Sequence, residues 1–184
     1  DLAVKGSFKN SEKINFDAQI KLDSLDLNKM LAMEGLGDLS LELKANGSGS
    51  DIASLDATLD GEINRFTYNN YPLENIPITG SMKNGTGTIT SNFKDDNINI
   101  ALDAKAQLDT DITKASAAVD IVGVDLRAFG ISPHNVKAAG KINVNYEGDS
   151  SNYKITSTID DGIAVFDNQS YLLGRLNIDA FVQP

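Results

Sequence analysis

The sequence predicts an all-β chain, an extended antiparallel sheet bent into a trough from two repeats, with two short helical turns. Three observations carry that expectation. Apolar and polar residues alternate with a period of two, Asn/Asp/Gly clusters punctuate the alternation, and the whole pattern recurs after about one hundred residues.

The alternation comes first. In Ile14-Asn15-Phe16-Asp17-Ala18-Gln19-Ile20-Lys21-Leu22-Asp23 the even positions are apolar and the odd ones polar. Ile98 to Asp109 extends the same rule over a longer run, and Leu39 to Ala45 and Ile142 to Tyr146 repeat it. Successive side chains of a strand point to opposite faces, so each segment has one dry and one wet face. One-sided strands belong to antiparallel sheets, not to parallel sheets buried between helices.

Turn chemistry separates the runs. The clusters are Lys9-Asn10-Ser11, Asn46-Gly47-Ser48-Gly49-Ser50, Asn69-Asn70, Lys83-Asn84-Gly85, Lys94-Asp95-Asp96-Asn97, Glu147-Gly148-Asp149-Ser150 and Asp167-Asn168-Gln169. Asn, Asp and Gly tolerate the left-handed backbone that tight hairpins need, so the strands are expected to follow one another as a meander. Two stretches break the rhythm. Residues 24–31 and 124–129 each read as one helical turn, with Asp26 and Asp125 placed to cap free N–H groups.

Those two aspartates are 99 positions apart (125 − 26). Further along, Phe66-x-x-x-x-Tyr71-x-Leu73-x-x-Ile76-x-Ile78 aligns with Phe166-x-x-x-x-Tyr171-x-Leu173-x-x-Leu176-x-Ile178 at a spacing of 100 (166 − 66). The expected division is residues 1–95 and 96–184, two copies of one unit in a continuous structure. Phase also changes inside the unit: Leu59 and Ile63 share a parity that Phe66 and Tyr68 do not. A bulge near Asn64-Arg65 would return both sets to one face.

Composition limits function. Of 184 residues, 26 are acidic and 16 basic, for a net charge of −10, so a polyanion such as nucleic acid is repelled. Cysteine is absent, which removes disulfides, thiolate metal sites and a Cys nucleophile. No apolar run approaches the ~18 residues a membrane helix needs. Strand-forming residues run from Leu2 to Phe181-Val182, which reads as a stretch excised from a longer protein.

Val124-Asp125-Leu126-Arg127-Ala128-Phe129-Gly130, followed by Gly140-Lys141-Ile142-Asn143-Val144 and Gly148, resembles the recurring unit of the AsmA-like superfamily, in its TamB-like branch. Leu25-Asp26-Leu27 through Gly37-Asp38-Leu39-Ser40-Leu41 to Gly47 is a second instance, and Leu59-Asp60-Gly61-Glu62-Ile63 leading to Tyr71-Pro72-Leu73 is similar to the strand pair that follows it. The resemblance implies a long β-sheet curled into a taco-like groove with a greasy interior, in a periplasmic, inner-membrane-anchored protein of the Gram-negative envelope. It also implies passage of phospholipid toward the outer membrane and an outer-membrane β-barrel assembly partner.

Such a conduit needs no specific polar ligand. Exposing an acyl chain to water costs roughly 0.8 kcal/mol per CH₂, so a continuous apolar wall is the whole requirement. The candidate lining is Leu39, Leu41, Leu43, Leu55, Leu59 and Ile63 in the first repeat. In the second it is Ile98, Ile100, Leu102, Val119, Ile121, Ile142, Val144, Ile155, Ile159, Leu176 and Ile178. The same alternation also describes a closed sandwich or solenoid filled by its own side chains, as in an extracellular, adhesin-like repeat that binds through its outer face.

No catalytic set is expected, and neither a cofactor nor a metal. His134 is the single histidine and follows Pro133 in a loop, without the Cys, His or carboxylate companions of a zinc site or a triad. Gly47-Ser48-Gly49-Ser50 and Asn84-Gly85-Thr86-Gly87 lack the Lys-Ser/Thr of a phosphate loop. Asp95-Asp96-Asn97 and Asp109-x-Asp111 lack the spaced ligands and closing Glu of a calcium loop. Tyr68, Tyr71, Tyr146, Tyr153 and Tyr171 are expected to pack structurally instead of forming a sugar platform.

Overall fold

A computed structural model describes residues 2–10, 14–108, 112–149 and 152–182. They divide into two units, Asp1–Asn84 and Gly85–Pro184. The first holds β1 (Leu2–Asn10), β2 (Ile14–Asp26), α1 (Leu27–Leu31), β3 (Leu36–Gly49), β4 (Asp56–Tyr68) and β5 (Tyr71–Lys83). The second holds β6 (Thr86–Lys94), β7 (Ile98–Gln107), β8 (Thr113–Asp125), β9 (Val136–Gly148), β10 (Tyr153–Phe166) and β11 (Gln169–Val182). These units are a division by contact, distinct from the division by recurrence at 95/96: β6 belongs to the second compact unit and pairs with β7.

Each unit is an antiparallel meander in which every strand pairs with the next in sequence. The hairpin turns fall where the sequence placed them. Asn69 and Asn70 sit at φ 46° and 64°, and Asp167 and Asn168 at 50° and 60°, the left-handed pair of a tight two-residue hairpin. The cluster at 46–49 differs from expectation. It continues β3, with Asn46 opposite Asp17 and Thr58, and the chain turns only after Gly49. Small residues suit this stretch because Gly47 lies against the Asp56 carbonyl and the Ala57 side chain, leaving no room for a Cβ.

Of the two expected helical turns, one is a helix. Asp26 caps α1 by accepting the Lys29 N–H at 3.0 Å. Residues 24–26, expected as its first part, belong to β2. At the equivalent place in the second unit Asp125 accepts the N–H groups of Arg127 and Ala128 at 3.0 and 3.2 Å, yet the segment is a hydrogen-bonded turn. The Ile131 and Ser132 N–H groups both return to the Leu126 carbonyl, and Gly130 lies at φ 66°, which closes the loop before a helix can propagate.

Bulges recur at matching positions and set the faces. In β2 the pairing with β3 slips between Leu22 and Leu25, and in β8 the pairing with β9 slips between Ile121 and Val124. In β4 it slips between Ser40/Arg65 and Leu41/Ile63, at the Asn64-Arg65 position expected from the phase change. In β10 it slips between Asp160 and Ile163.

Register also revises the alignment of the copies. Leu41 pairs with Leu22, as Gly140 pairs with Ile121, and the hairpin Asn69-Asn70 corresponds to Asp167-Asn168. From β4 onward the structural equivalents are therefore 98 apart (167 − 69), so Leu73 corresponds to Tyr171 and Tyr68 to Phe166. The spacing of 100 is two residues out of step. Strand periodicity is two, so such a slip keeps apolar residues matched with apolar ones.

Candidate functional site

Directly opposed residues of an antiparallel ladder share a face, so the registers assemble side chains into rows. In the first unit the rows are Leu25–Leu39–Phe66–Leu73, Leu2–Leu22–Leu41–Ile63–Ile76, Val4–Ile20–Leu43–Gly61–Ile78 and Gly6–Ala18–Ala45–Leu59–Gly80. Every member is apolar or glycine. Gly61 sits where its Cβ would meet the Glu42 carbonyl and the Leu43 side chain.

The second unit repeats the arrangement. Its rows are Ile98–Val124–Ala138–Ala164–Tyr171, Phe93–Ile100–Ile121–Gly140, Ser91–Leu102–Val119–Ile142–Ile159–Leu176, Ile89–Ala104–Ala117–Val144–Ser157–Ile178 and Gly87–Ala106–Ala115–Tyr146–Ile155–Ala180. All candidate lining residues of this unit fall on that face, as do those of the first unit except Leu55. Leu55 precedes β4, in the turn against which Gly49 packs. The candidate set omitted Ile20, Leu22, Phe66, Leu73, Ile76, Ile78, Ile89 and Phe93. The alternation through Ile20 and Leu22 was sufficient to find the first two; Phe66 and Leu73 needed the bulge.

These faces are scarcely covered. Among the described residues only Leu73 (8% exposed) and Phe93 (8%) on the faces, and Phe129 (4%) in the turn after β8, are buried apolar side chains. Toward β11 the face opens further, with Leu176 at 49% and Ile178 at 56%. A closed sandwich would bury its inner rows from both sheets.

The opposite face is polar and paired across strands. Gln19 donates to Glu42 at 2.7 Å, Thr58 to Asn46 at 3.1 Å and Thr86 to Gln107 at 2.8 Å. Lys114 pairs with Glu147 at 3.1 Å and Arg175 with Asp160 at 3.1 Å. The two ion pairs are largely solvent-exposed and each contributes little singly. In the second unit it carries two open hollows of about 450 and 530 Å³, lined by residues such as Lys105, Ser116 and Asn145.

His134 lies edge-on to Phe166 at 5.7 Å between ring centres. Tyr146 and Tyr153 stack at 5.7 Å, and Tyr68 faces Tyr71 across the hairpin. Asp95 accepts the N–H groups of Asn97 and Ile98 at 2.7 and 2.9 Å, the work of a turn residue. Asp109-x-Asp111 lies outside the described residues. Among the described residues no three His, Asp or Glu side chains converge as metal ligands, and no helix is long and apolar enough to cross a membrane.

The fold and these faces define a class: all-β, antiparallel meanders with one uncovered apolar face per unit. No family model, curated protein or solved structure matches the chain.

Proposed function

We propose that the apolar faces shield and conduct the acyl chains of phospholipid, or other apolar cargo, across the periplasm between the two membranes of a Gram-negative envelope. This is the role implied by the AsmA-like, TamB-like resemblance, with inner-membrane anchoring and an outer-membrane β-barrel assembly partner. The observation that carries it is the set of predominantly apolar rows, interrupted in the second unit only by Ser91 and Ser157, with no covering layer within either unit. A row crossing five strands spans about 20 Å at ~4.8 Å per strand, long enough to run beside an extended acyl chain. Half-exposed Leu and Ile side chains gain roughly 25 cal/mol for each Å² an acyl chain covers, so cargo and protein both lose wetted apolar surface.

The reading is tested by solvent extraction of the purified chain followed by lipid mass spectrometry. Phospholipid in stoichiometric amount supports it; a folded chain free of lipid, which also fails to take it up from vesicles, rejects it. A second reading, adhesin-like binding through the outer face, is favoured by the hollow lined by Lys105, Gln107, Lys114 and Glu147. It predicts capture of a polar polymer that is unaffected by substitutions on the apolar rows.

A further inference from the structure

The hollow of about 450 Å³ on the polar face of the second unit is basic, in a chain of net charge −10. Two adjacent rows of the ladder line it, Gln107–Lys114–Glu147–Lys154 and Lys105–Ser116–Asn145–Thr156. Glu147 is held by Lys114 at 3.1 Å, and the Lys154 ammonium lies over the Phe181 ring at 5.2 Å. Among the described residues neither Lys105 nor Lys154 makes an ion pair. The scaffold does not require these lysines. By register the same two rows in the first unit are Lys9–Asn15–Ser48–Asp56 and Ser7–Asp17–Asn46–Thr58. One unit therefore sets one lysine against two aspartates where the other sets three lysines against one glutamate, on the same ladder. The excess positive charge is specific to the second unit.

We infer that this hollow binds a phosphorylated saccharide, with the phosphate on Lys105 and Lys154. Two ammonium groups without carboxylate partners match the charge of about −2 on a phosphomonoester, whereas a monocarboxylate would leave one unmatched. Lysine serves phosphate as a point charge and needs no bidentate geometry. Between the two lysines stand Ser116, Asn145 and Thr156, whose short hydroxyl and amide groups donate to and accept from sugar hydroxyls. Ligand sites run to roughly 300–1,000 Å³, so the hollow suits a small molecule better than a lone ion. The neighbouring hollow shares Lys105, Ser116 and Asn145 and adds Asp103, which accepts from sugar hydroxyls and repels a second phosphate. The apolar rows lie on the other face of the sheet, so the inference does not depend on what they carry.

Titration of the whole chain with glucose 6-phosphate, followed by amide NMR at low salt where exposed charges are least screened, tests the site. The Lys105, Ser116 and Asn145 amides are expected to shift and saturate with a Kd of about 1 mM or tighter. Their counterparts Ser7, Asp17 and Asn46 are expected to stay in place. Lys105→Gln combined with Lys154→Gln leaves the Lys114–Glu147 pair intact and is expected to weaken binding at least about tenfold, with uptake of a fluorescent fatty acid unchanged. Inorganic phosphate is expected to bind at least about threefold more weakly, and phosphatidylglycerol vesicles not to displace the sugar phosphate. No saturable shift by about 10 mM, equal shifts in the two units, or undiminished binding by the double variant would overturn the site. Inorganic phosphate binding as tightly, or displacement by the vesicles, would overturn the saccharide assignment.

Discussion

Leu41 stands opposite Ile63 across β3 and β4, yet Ser40, one residue earlier, faces Arg65 and skips Asn64. The skipped residue lets Ile63 and Phe66 share the apolar face despite opposite parity. In β5 the pairs Ile63–Ile76 and Arg65–Glu74 bracket Asn64 and Asn75, and Asn75 has φ 59°. A left-handed residue in mid-strand suits Asn and Gly and penalises β-branched side chains. Asn75→Val is therefore expected to cost about 1–2 kcal/mol in urea unfolding, and Asn75→Gly within about 0.5 kcal/mol of none. Equal effects from the two would show that the backbone conformation at Asn75 is not specified.

Leu73 and Tyr171 are structural equivalents in the two units, but one is 8% exposed and the other 47%. Truncating a buried leucine typically costs about 2–5 kcal/mol, the lower end applying where the site is not sealed. Leu73→Ala is expected to lose about 2–3 kcal/mol and Tyr171→Ala less than about 1 kcal/mol. Chemical denaturation at low protein concentration measures both. A larger loss at Tyr171 would contradict the assignment of packing to Leu73.

Asp26 accepts from the Lys29 backbone N–H and pairs with its ammonium at 2.8 Å, which holds the carboxyl below its ordinary 3.8 and raises the lysine above 10.5. The lysine side-chain hydrogen bond is the largest cause on the aspartate, and the aspartate hydrogen bond the largest on the lysine. A depressed acid stabilises the fold above its unfolded pKa and ceases to do so as the pH falls through the folded one. The α1 cap is thus expected to persist down to pH 3.8 and to be lost below it. Its ion-pair part is present below 10.5 and is lost only as the pH rises past the raised lysine value. The Lys29 amide shift followed by NMR should show the acid step, and Asp26→Ala should abolish it. A step above 3.8 would mean that the fold raises the Asp26 carboxyl instead of lowering it.

Much of this arrangement is legible from residue order alone. Ile98, Ile100 and Leu102 lie on one face because a straight strand has period two, and the same rule placed Leu39, Leu41 and Leu43. The bulge at Asn64 was legible because Phe66 and Tyr68 change phase without a turn residue between. Other features depend on three dimensions. Asn46 to Gly49 carry turn chemistry but are held in β3 by ladders on both sides. Asp125 caps like Asp26, while the bonds to the Leu126 carbonyl decide turn against helix. The two-residue slip between the copies is invisible to alternation, since it maps each face onto itself. Burial of Leu73, Phe93 and Phe129 is set by local neighbours that the sequence pattern does not specify.

The proposed carriage of acyl chains by the apolar rows is probed directly at Leu102, which sits mid-row between Ser91 and Val119. Titration of the purified chain with a fluorescent fatty acid should saturate, and Leu102→Asp should weaken uptake at least about tenfold while circular dichroism remains that of a β-sheet, since a charge facing the chain costs several kcal/mol. Asp103→Asn, on the polar face, should leave uptake unchanged. A folded Leu102→Asp chain that takes up the fatty acid as well as the unmodified protein would contradict the account.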